Sequence, residues 1–254
     1  MDIIDKLEDQ LFSESNSLDK NIDSDISRTL EQVKEFVHID NSLAVLSDLA
    51  NNISYVWVGA FGRYLGMKEG EHSIIDSIWE EDIYKRIHPD DLFERHLLEL
   101  EFYNFLKQQP ASERLHYATR CKIRAQDDQG DYHYIIHQSS FIRIGDDGAL
   151  WLALCVYNYC FEEAPSLHID GMIVNKKSGA ILPVSCYDNC SDLLSSREIE
   201  ILVQVKKGLL SKEIASVLHI SVNTVNRHRQ NIIKKLNVSN SMEAIRVANA
   251  LGIL

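Results

Sequence analysis

The sequence predicts an α+β domain, an antiparallel sheet with flanking helices, followed by an all-α domain of four helices that contains a helix-turn-helix. Three observations carry that division. Runs rich in β-branched and aromatic residues lie between about residues 50 and 160, whereas the segment from Leu194 to Leu254 repeats its apolar positions every three or four residues. Short acidic segments ending in glycine separate the later runs, which is the turn chemistry of hairpins rather than of crossover helices. The charge also reverses: residues 190–254 hold nine Lys and Arg against five Asp and Glu, yet the chain carries −12, so the remainder stands at −16. A basic module joined to an acidic one confines attraction for a polyanion to one end.

The first elements are helical. Residues 1–24 are acidic, rich in serine and poor in large apolar residues, which predicts a weakly docked start. From Arg28 to Ala50, Leu30, Val33, Phe36 and Val37, then Leu43, Leu46 and Leu49, fall mostly at three- and four-residue steps, as one or two amphipathic helices require. Ile53–Ala60 reads as a strand, and short helices are expected over Arg63–Met67 and Ser73–Ile87. His88-Pro89-Asp90-Asp91 then opens a long helix, with proline and two carboxylates in its first turn. His96 on that helix reads as solvated.

Three strands follow, His116–Ala125, Tyr132–Ile144 and Ala149–Tyr159, joined through Asp127-Asp128-Gln129-Gly130 and Asp146-Asp147-Gly148 into a meander with its helices on one side. Gly171–Asn175 and Ala180–Val184 form a small hairpin within a connection placed at 166–192, between domains at 1–165 and 193–254. Aromatic residues of the first domain, Tyr55, Trp57, Phe61, Tyr64, Trp79 and Trp151, are candidates to line a ligand pocket, with His137 as a polar anchor, although aromatics in a small mixed domain are more often plain core.

In the last domain, Ser195 and Glu198 have capping-box spacing, and Lys206-Lys207-Gly208 ends the helix they begin. Ser211–His219 is a short helix with Ile214, Ala215 and Leu218 on one face, and Ser221 caps the next. That helix has a dry side of Val225, Ile232 and Leu236 and a polar side of Asn223, Asn226, Arg227, Gln230 and Lys234. A short helix, a tight turn and a second helix with a polar stripe suit the DNA major groove. Ala244, Val247, Ala248 and Leu251 share a face of the final helix, where Val247 and Leu251 are candidates for a dimer seam.

The segments Leu194–Glu200, Lys212–Ala215, Thr224–His228 and Lys235–Val238 resemble the LuxR-type helix-turn-helix of bacterial transcription regulators, over the last quarter of the chain. The resemblance implies double-stranded DNA as partner, binding as a homodimer and a contact with RNA polymerase. It implies base-facing roles for Asn226, Arg227 and Gln230, and phosphate contacts from Lys212, Thr224, His228, Lys234 and Lys235. Members usually have Lys or Arg where Asn226 stands, so a different base preference is expected. Residues 50–160, with His88-Pro89-Asp90-Asp91 before the long helix and Asp128-Gln129-Gly130 between strands, resemble the PAS sensory domains, which implies a module that binds a small ligand or dimerises; DNA binding itself requires no cofactor.

A one-component transcription regulator is therefore expected. Length also suits an acyl-homoserine-lactone receptor, although the first half lacks a convincing match to that pocket. An enzyme domain targeted to DNA is the other alternative, and residues 1–190 show no nucleophile elbow, phosphate loop or metal-ligand cluster, so no catalytic residue is assigned. A phosphorylated receiver would need alternating strands and helices, which the hairpin signals oppose. The cysteines Cys121, Cys155, Cys160, Cys186 and Cys190 read as reduced thiols, and the spacing of the last two argues against a metal site. No apolar run approaches the roughly 18 residues of a membrane span, and the acidic start is unlike a secretory signal, so a cytoplasmic address without a membrane partner is expected.

Overall fold

The computed structural model describes residues 3–15, 23–162, 168–184, 194–236, 238, 240–250 and 253–254. Two compact units emerge, one spanning Glu8–Val184 and the other containing the C-terminal helices. Cys186, Cys190 and Leu251 lie outside the described residues. Among the described residues, no helix is long and apolar enough to cross a membrane.

The acidic N-terminal segment contains a helix, α1 (Ile3–Ser15), where a weakly docked start was expected. Leu11 and Phe12 pack on the sheet domain's core, and the Gln10 carbonyl accepts a 2.6 Å bond from the Tyr103 hydroxyl. A second helix, α2 (Asp23–Asp40), ends at Asn41, whose φ of 58° supplies the left-handed turn that stops a helix. The chain then enters strand β1 (Leu43–Asp48), so Leu43 and Leu46 belong to a strand and not to the helix expected there. The reason is burial: all six residues of β1 are enclosed, and with both faces covered its Leu43–Leu46 run is apolar throughout and shows no period of two.

Strand β2 (Ile53–Val58) pairs with β1 and with β3 (His72–Ile75), which replaces the start of the helix expected over Ser73–Ile87; only α3 (Glu81–Tyr84) is helical within that stretch. A 3-10 turn occupies Ala60–Leu65. After the long helix α4 (Pro89–Lys107) and the single turn α5 (Ala111–Arg114) come β4 (Tyr117–Gln126), β5 (Tyr132–Ile144) and β6 (Leu150–Tyr159), close to their expected bounds. Strand β6 pairs with β1, and the hairpin β7 (Met172–Asn175) and β8 (Ile181–Pro183) continues the sheet beyond β4. The eight strands run β3-β2-β1-β6-β5-β4-β7-β8. The hairpin read as a connection is thus part of the sheet, because the backbone of Tyr117–Arg120 would otherwise be an unpaired edge.

Register sorts the side chains into two layers. Val58, Leu43, Tyr157, His137 and Cys121 form one row across the sheet, and Val56, Val45, Cys155, Ser139 and Thr119 the next row on the same face. Helix α4 covers this face, with Phe102 stacked on Phe141. The opposite face carries Ala44, Leu46 and Trp57 under Val33 and Val37 of α2. Helices therefore flank both faces, whereas the sequence placed them on one.

Histidine opens α4. The His88 Nδ1 accepts from the Asp90 amide at 3.3 Å, Pro89 occupies the first turn, and Asp91 reaches across to β4, where it accepts from the Arg124 amide at 2.6 Å and from its guanidinium. Asp91 is buried, so this pair fixes where the helix lies on the sheet.

The C-terminal unit contains α6 (Ser196–Lys206), α7 (Ser211–Val217), α8 (Val222–Lys235) and α9 (Ser241–Ala250). Both halves of the Ser195–Glu198 capping box are present, and Gly208 turns the chain after α6 with φ 86°. Ile201, Leu202, Ile214, Ala215, Val225, Ile232, Ala244 and Ala248 are buried.

Candidate nucleic-acid interface and the interior of the sheet domain

Helix α8 follows α7 through a turn in which His219 takes φ 54°, and Ser221 caps it by accepting from the Thr224 amide at 3.0 Å. Val225, Ile232 and Leu236 are fully buried against the other helices. That burial fixes the rotation of the helix about its own axis, and Asn223, Asn226, Arg227, Gln230 and Lys234 emerge exposed on the far side. Lys212 is exposed on α7. Four uncharged or singly charged side chains with mixed donors and acceptors, flanked by cations, can pair with base edges while the rim meets phosphate.

Three other side chains expected at phosphates are committed differently. Lys235 donates to Glu198 Oε2 at 2.7 Å, and that carboxylate also accepts from the Ser195 amide at 2.8 Å and the Ser195 hydroxyl. Burial works to raise the Glu198 pKa, but these hydrogen bonds outweigh it and hold the pKa below the usual glutamate value. Lys235 thus ties the end of α8 to the start of α6. Thr224 Oγ1 sits 2.8 Å from Ser221 Oγ within the cap, and His228 is half-buried with Nδ1 turned inward. Val247, expected at a dimer seam, is 3% exposed and buried within its own unit, because the face it shares with Ala244 and Ala248 closes the bundle.

Sequence reasoning missed Arg229. Its guanidinium donates to Ser211 Oγ and to Ser241 Oγ, both at 3.1 Å, and so joins the first turns of α7 and α9 to the middle of α8. A signal existed: four residues beyond Val225, Arg229 lies only about 40° from the centre of the dry side, where a merely solvated arginine would not sit. Arg197 similarly donates to the Leu218 carbonyl at 2.9 Å.

In the sheet domain the seven pocket candidates do not converge. Tyr55, Trp57 and Trp151 belong to the layer under α2, where the Trp151 indole donates to Asp48 Oδ1 at 3.0 Å. Phe61 and Tyr64 form an aromatic group with Tyr159, with ring centroids 4.9 and 5.8 Å from it. Trp79 meets the edge of His96 at 6.2 Å. Only His137 projects from the sheet face beneath α4, 4.8 Å from the Tyr157 ring.

That face holds a polar interior. Arg95 of α4 is 1% exposed, lies 2.9 Å from Glu99 Oε1 and 3.6 Å from Glu80 Oε2, and stacks over the Tyr84 ring at 4.7 Å. The Tyr157 hydroxyl donates to Glu80 in a short bond. Burial raises the pKa values of Tyr84, Tyr157 and Cys155, and also that of Glu99, where Arg95 opposes it. His96, read as solvated, is 2% exposed: burial, with Arg95 adding to it, pulls its pKa down to about 3. His137 is driven down the same way. The Nε2 atoms of both histidines and the Nε and Nη1 atoms of Arg95 have no hydrogen-bond partner among the described residues.

Against known protein families, residues 192–248 match the bacterial regulatory proteins of the luxR family. Over 60 residues the chain is 45% identical to the uncharacterized response regulatory protein YgeK of Escherichia coli (strain K12), covering 24% of this chain and 41% of that protein. Over 54 residues it is 43% identical to the response regulator VraR of Staphylococcus aureus (strain Mu3 / ATCC 700698), covering 21% and 26%. The chain spans less than half the length of these curated relatives. Among solved structures, the Vibrio cholerae VqmA dimer, described as a LuxR-type receptor, aligns over 88% of both chains at 18% identity with a TM-score of 0.28, and Escherichia coli SdiA over 98% of both at 15% and 0.23. Scores that low decide nothing about the sheet domain. The family match coincides with the capped helices, the buried apolar side of α8 and its exposed polar stripe: residues 192–248 form a helix-turn-helix domain of the luxR family of bacterial regulatory proteins.

Proposed function

We propose that this chain is a one-component transcription regulator in which α8 reads promoter DNA through the major groove and the PAS-like sheet domain supplies a signal response or dimerisation. The observation that carries this reading is the exposed stripe of Asn223, Asn226, Arg227 and Gln230 opposite the buried Val225 and Ile232. Asn226, Arg227 and Gln230 face base edges in this reading, while Lys212 and Lys234 meet phosphates. His228 and Thr224 approach the backbone only from the flank of the helix, and Lys235 acts by holding α8 in place. Two copies bind together, since one recognition helix reads too few base pairs for useful discrimination. The surplus of cations in residues 190–254 supports attraction to DNA.

Selection of duplexes from a random pool by the purified full chain tests the proposal. Enrichment of a two-fold symmetric sequence, bound more weakly as salt rises, is the expected result. Failure to retain any duplex at low salt, with the helices intact by circular dichroism, overturns it.

A further inference from the structure

We infer that the interior of the sheet domain is a binding site for one transition-metal ion of borderline softness, Zn²⁺ or a chemically similar ion, held by Glu99, His137 and Cys155. The inference is independent of DNA binding. One ligand atom from each of these residues lies within 4.8 Å of the other two, so small rotations bring all three to the distances of about 2.0–2.3 Å that zinc requires of oxygen, nitrogen and sulfur. Thiolate, imidazole and carboxylate together favour zinc over the hard cations, which take oxygen alone.

Two further features point to an ion. The His137 Nδ1 faces Cys121 Sγ at 3.7 Å, which leaves Nε2 as a ring nitrogen without a partner in a residue 1% exposed. A ligating histidine commonly has its other nitrogen hydrogen-bonded, and an unpartnered buried donor or acceptor otherwise destabilises the fold. Charge agrees as well. The bound set of one thiolate and one carboxylate carries the charge that a divalent cation offsets, and Arg95 lies beside both Glu99 and Glu80. Arg95 meets Oε1 of Glu99, and the Glu99 side chain is 17% exposed, so the trio is not wholly sealed from solvent.

Binding is an acid–metal exchange: the thiol gives its proton to water as the metal–sulfur bond forms, with no change in oxidation state. Cobalt is the probe, since it reports a thiolate ligand by a charge-transfer band. The reduced full chain is titrated with Co²⁺ after chelator treatment, beside variants Cys155→Ser, Glu99→Gln and the pair Cys186→Ser with Cys190→Ser. The expected result is one cobalt per chain with a thiolate band, unchanged in the Cys186/Cys190 pair and lost in Cys155→Ser. Glu99→Gln keeps the band but weakens binding at least as much as the about 10–100-fold that loss of an outer-shell partner costs. A band that persists in Cys155→Ser, or no band in the folded wild-type chain at excess cobalt, overturns the proposal. Should Cys155→Ser fail to fold, Glu99→Gln decides, and unchanged affinity there rejects the site. A chain that binds cobalt but no DNA would refute the regulator reading alone.

Discussion

Acid should destabilise the sheet domain well above the carboxylate range, because His96 is buried as the neutral imidazole. Its pKa falls from 6.5 to about 3 in the fold, so between those values the unfolded chain binds a proton that the native chain does not. A lowered histidine pKa means that stability is full above about pH 6.5 and declines as pH falls towards 3. From about pH 7.5 to pH 5 the unfolded state alone titrates, and the linkage gives a loss of about 2 kcal/mol for this one residue. The value is insensitive to how far below 5 the native pKa lies. His137 shifts in the same direction and adds to the slope. All three tryptophans, Trp57, Trp79 and Trp151, stand in this domain, so urea unfolding of the full chain followed by tryptophan fluorescence reports it selectively. Run with chelator present, His96→Phe keeps an aromatic ring against Trp79 and Tyr84, and should lose about 2 kcal/mol less than wild type between the two pH values. Equal losses in variant and wild type would show that His96 is not held neutral and that its burial is wrong.

Other changes test the remaining contacts. Arg227→Ala should cost about 1–3 kcal/mol on a selected duplex and little on random DNA, measured by fluorescence anisotropy; equal losses would mean that Arg227 reads no base. Lys235→Ala removes the partner of Glu198 and should lower the stability of the helical unit by about 1–3 kcal/mol, followed by far-ultraviolet circular dichroism. Because the Glu198 pKa is lowered, that contribution is present above about 4.5 and lost as pH falls through the native value; a Lys235→Ala chain with unchanged acid unfolding would refute the pairing. Asp91→Asn weakens both the amide and guanidinium bonds of Arg124 and should destabilise the sheet domain by about 2–3 kcal/mol in the same urea assay, with helix content retained at low denaturant.

The sequence by itself determined whatever depends on local chemistry and period. The caps at Ser195 and Ser221, the turn at Gly208, the strands from Tyr117 to Tyr159 and the dry side of α8 all follow from residue types at fixed spacing, and each stands in the structure. The polar stripe of α8 was legible for the same reason, since three buried residues on one side dictate which side faces out. Tertiary structure decided what depends on coverage and on distant partners. Strand β1 is enclosed on both faces, which erased the alternation that marks a strand, and Asn41 ended α2 where no glycine signalled a stop. Arg229 and Lys235 became braces only because Ser211, Ser241 and Glu198 arrive from other helices. Glu99, His137 and Cys155 come from a helix and two strands and have no shared spacing to betray them. A side chain's partners across an interface are set by packing of the whole chain, and the local sequence carries no record of them.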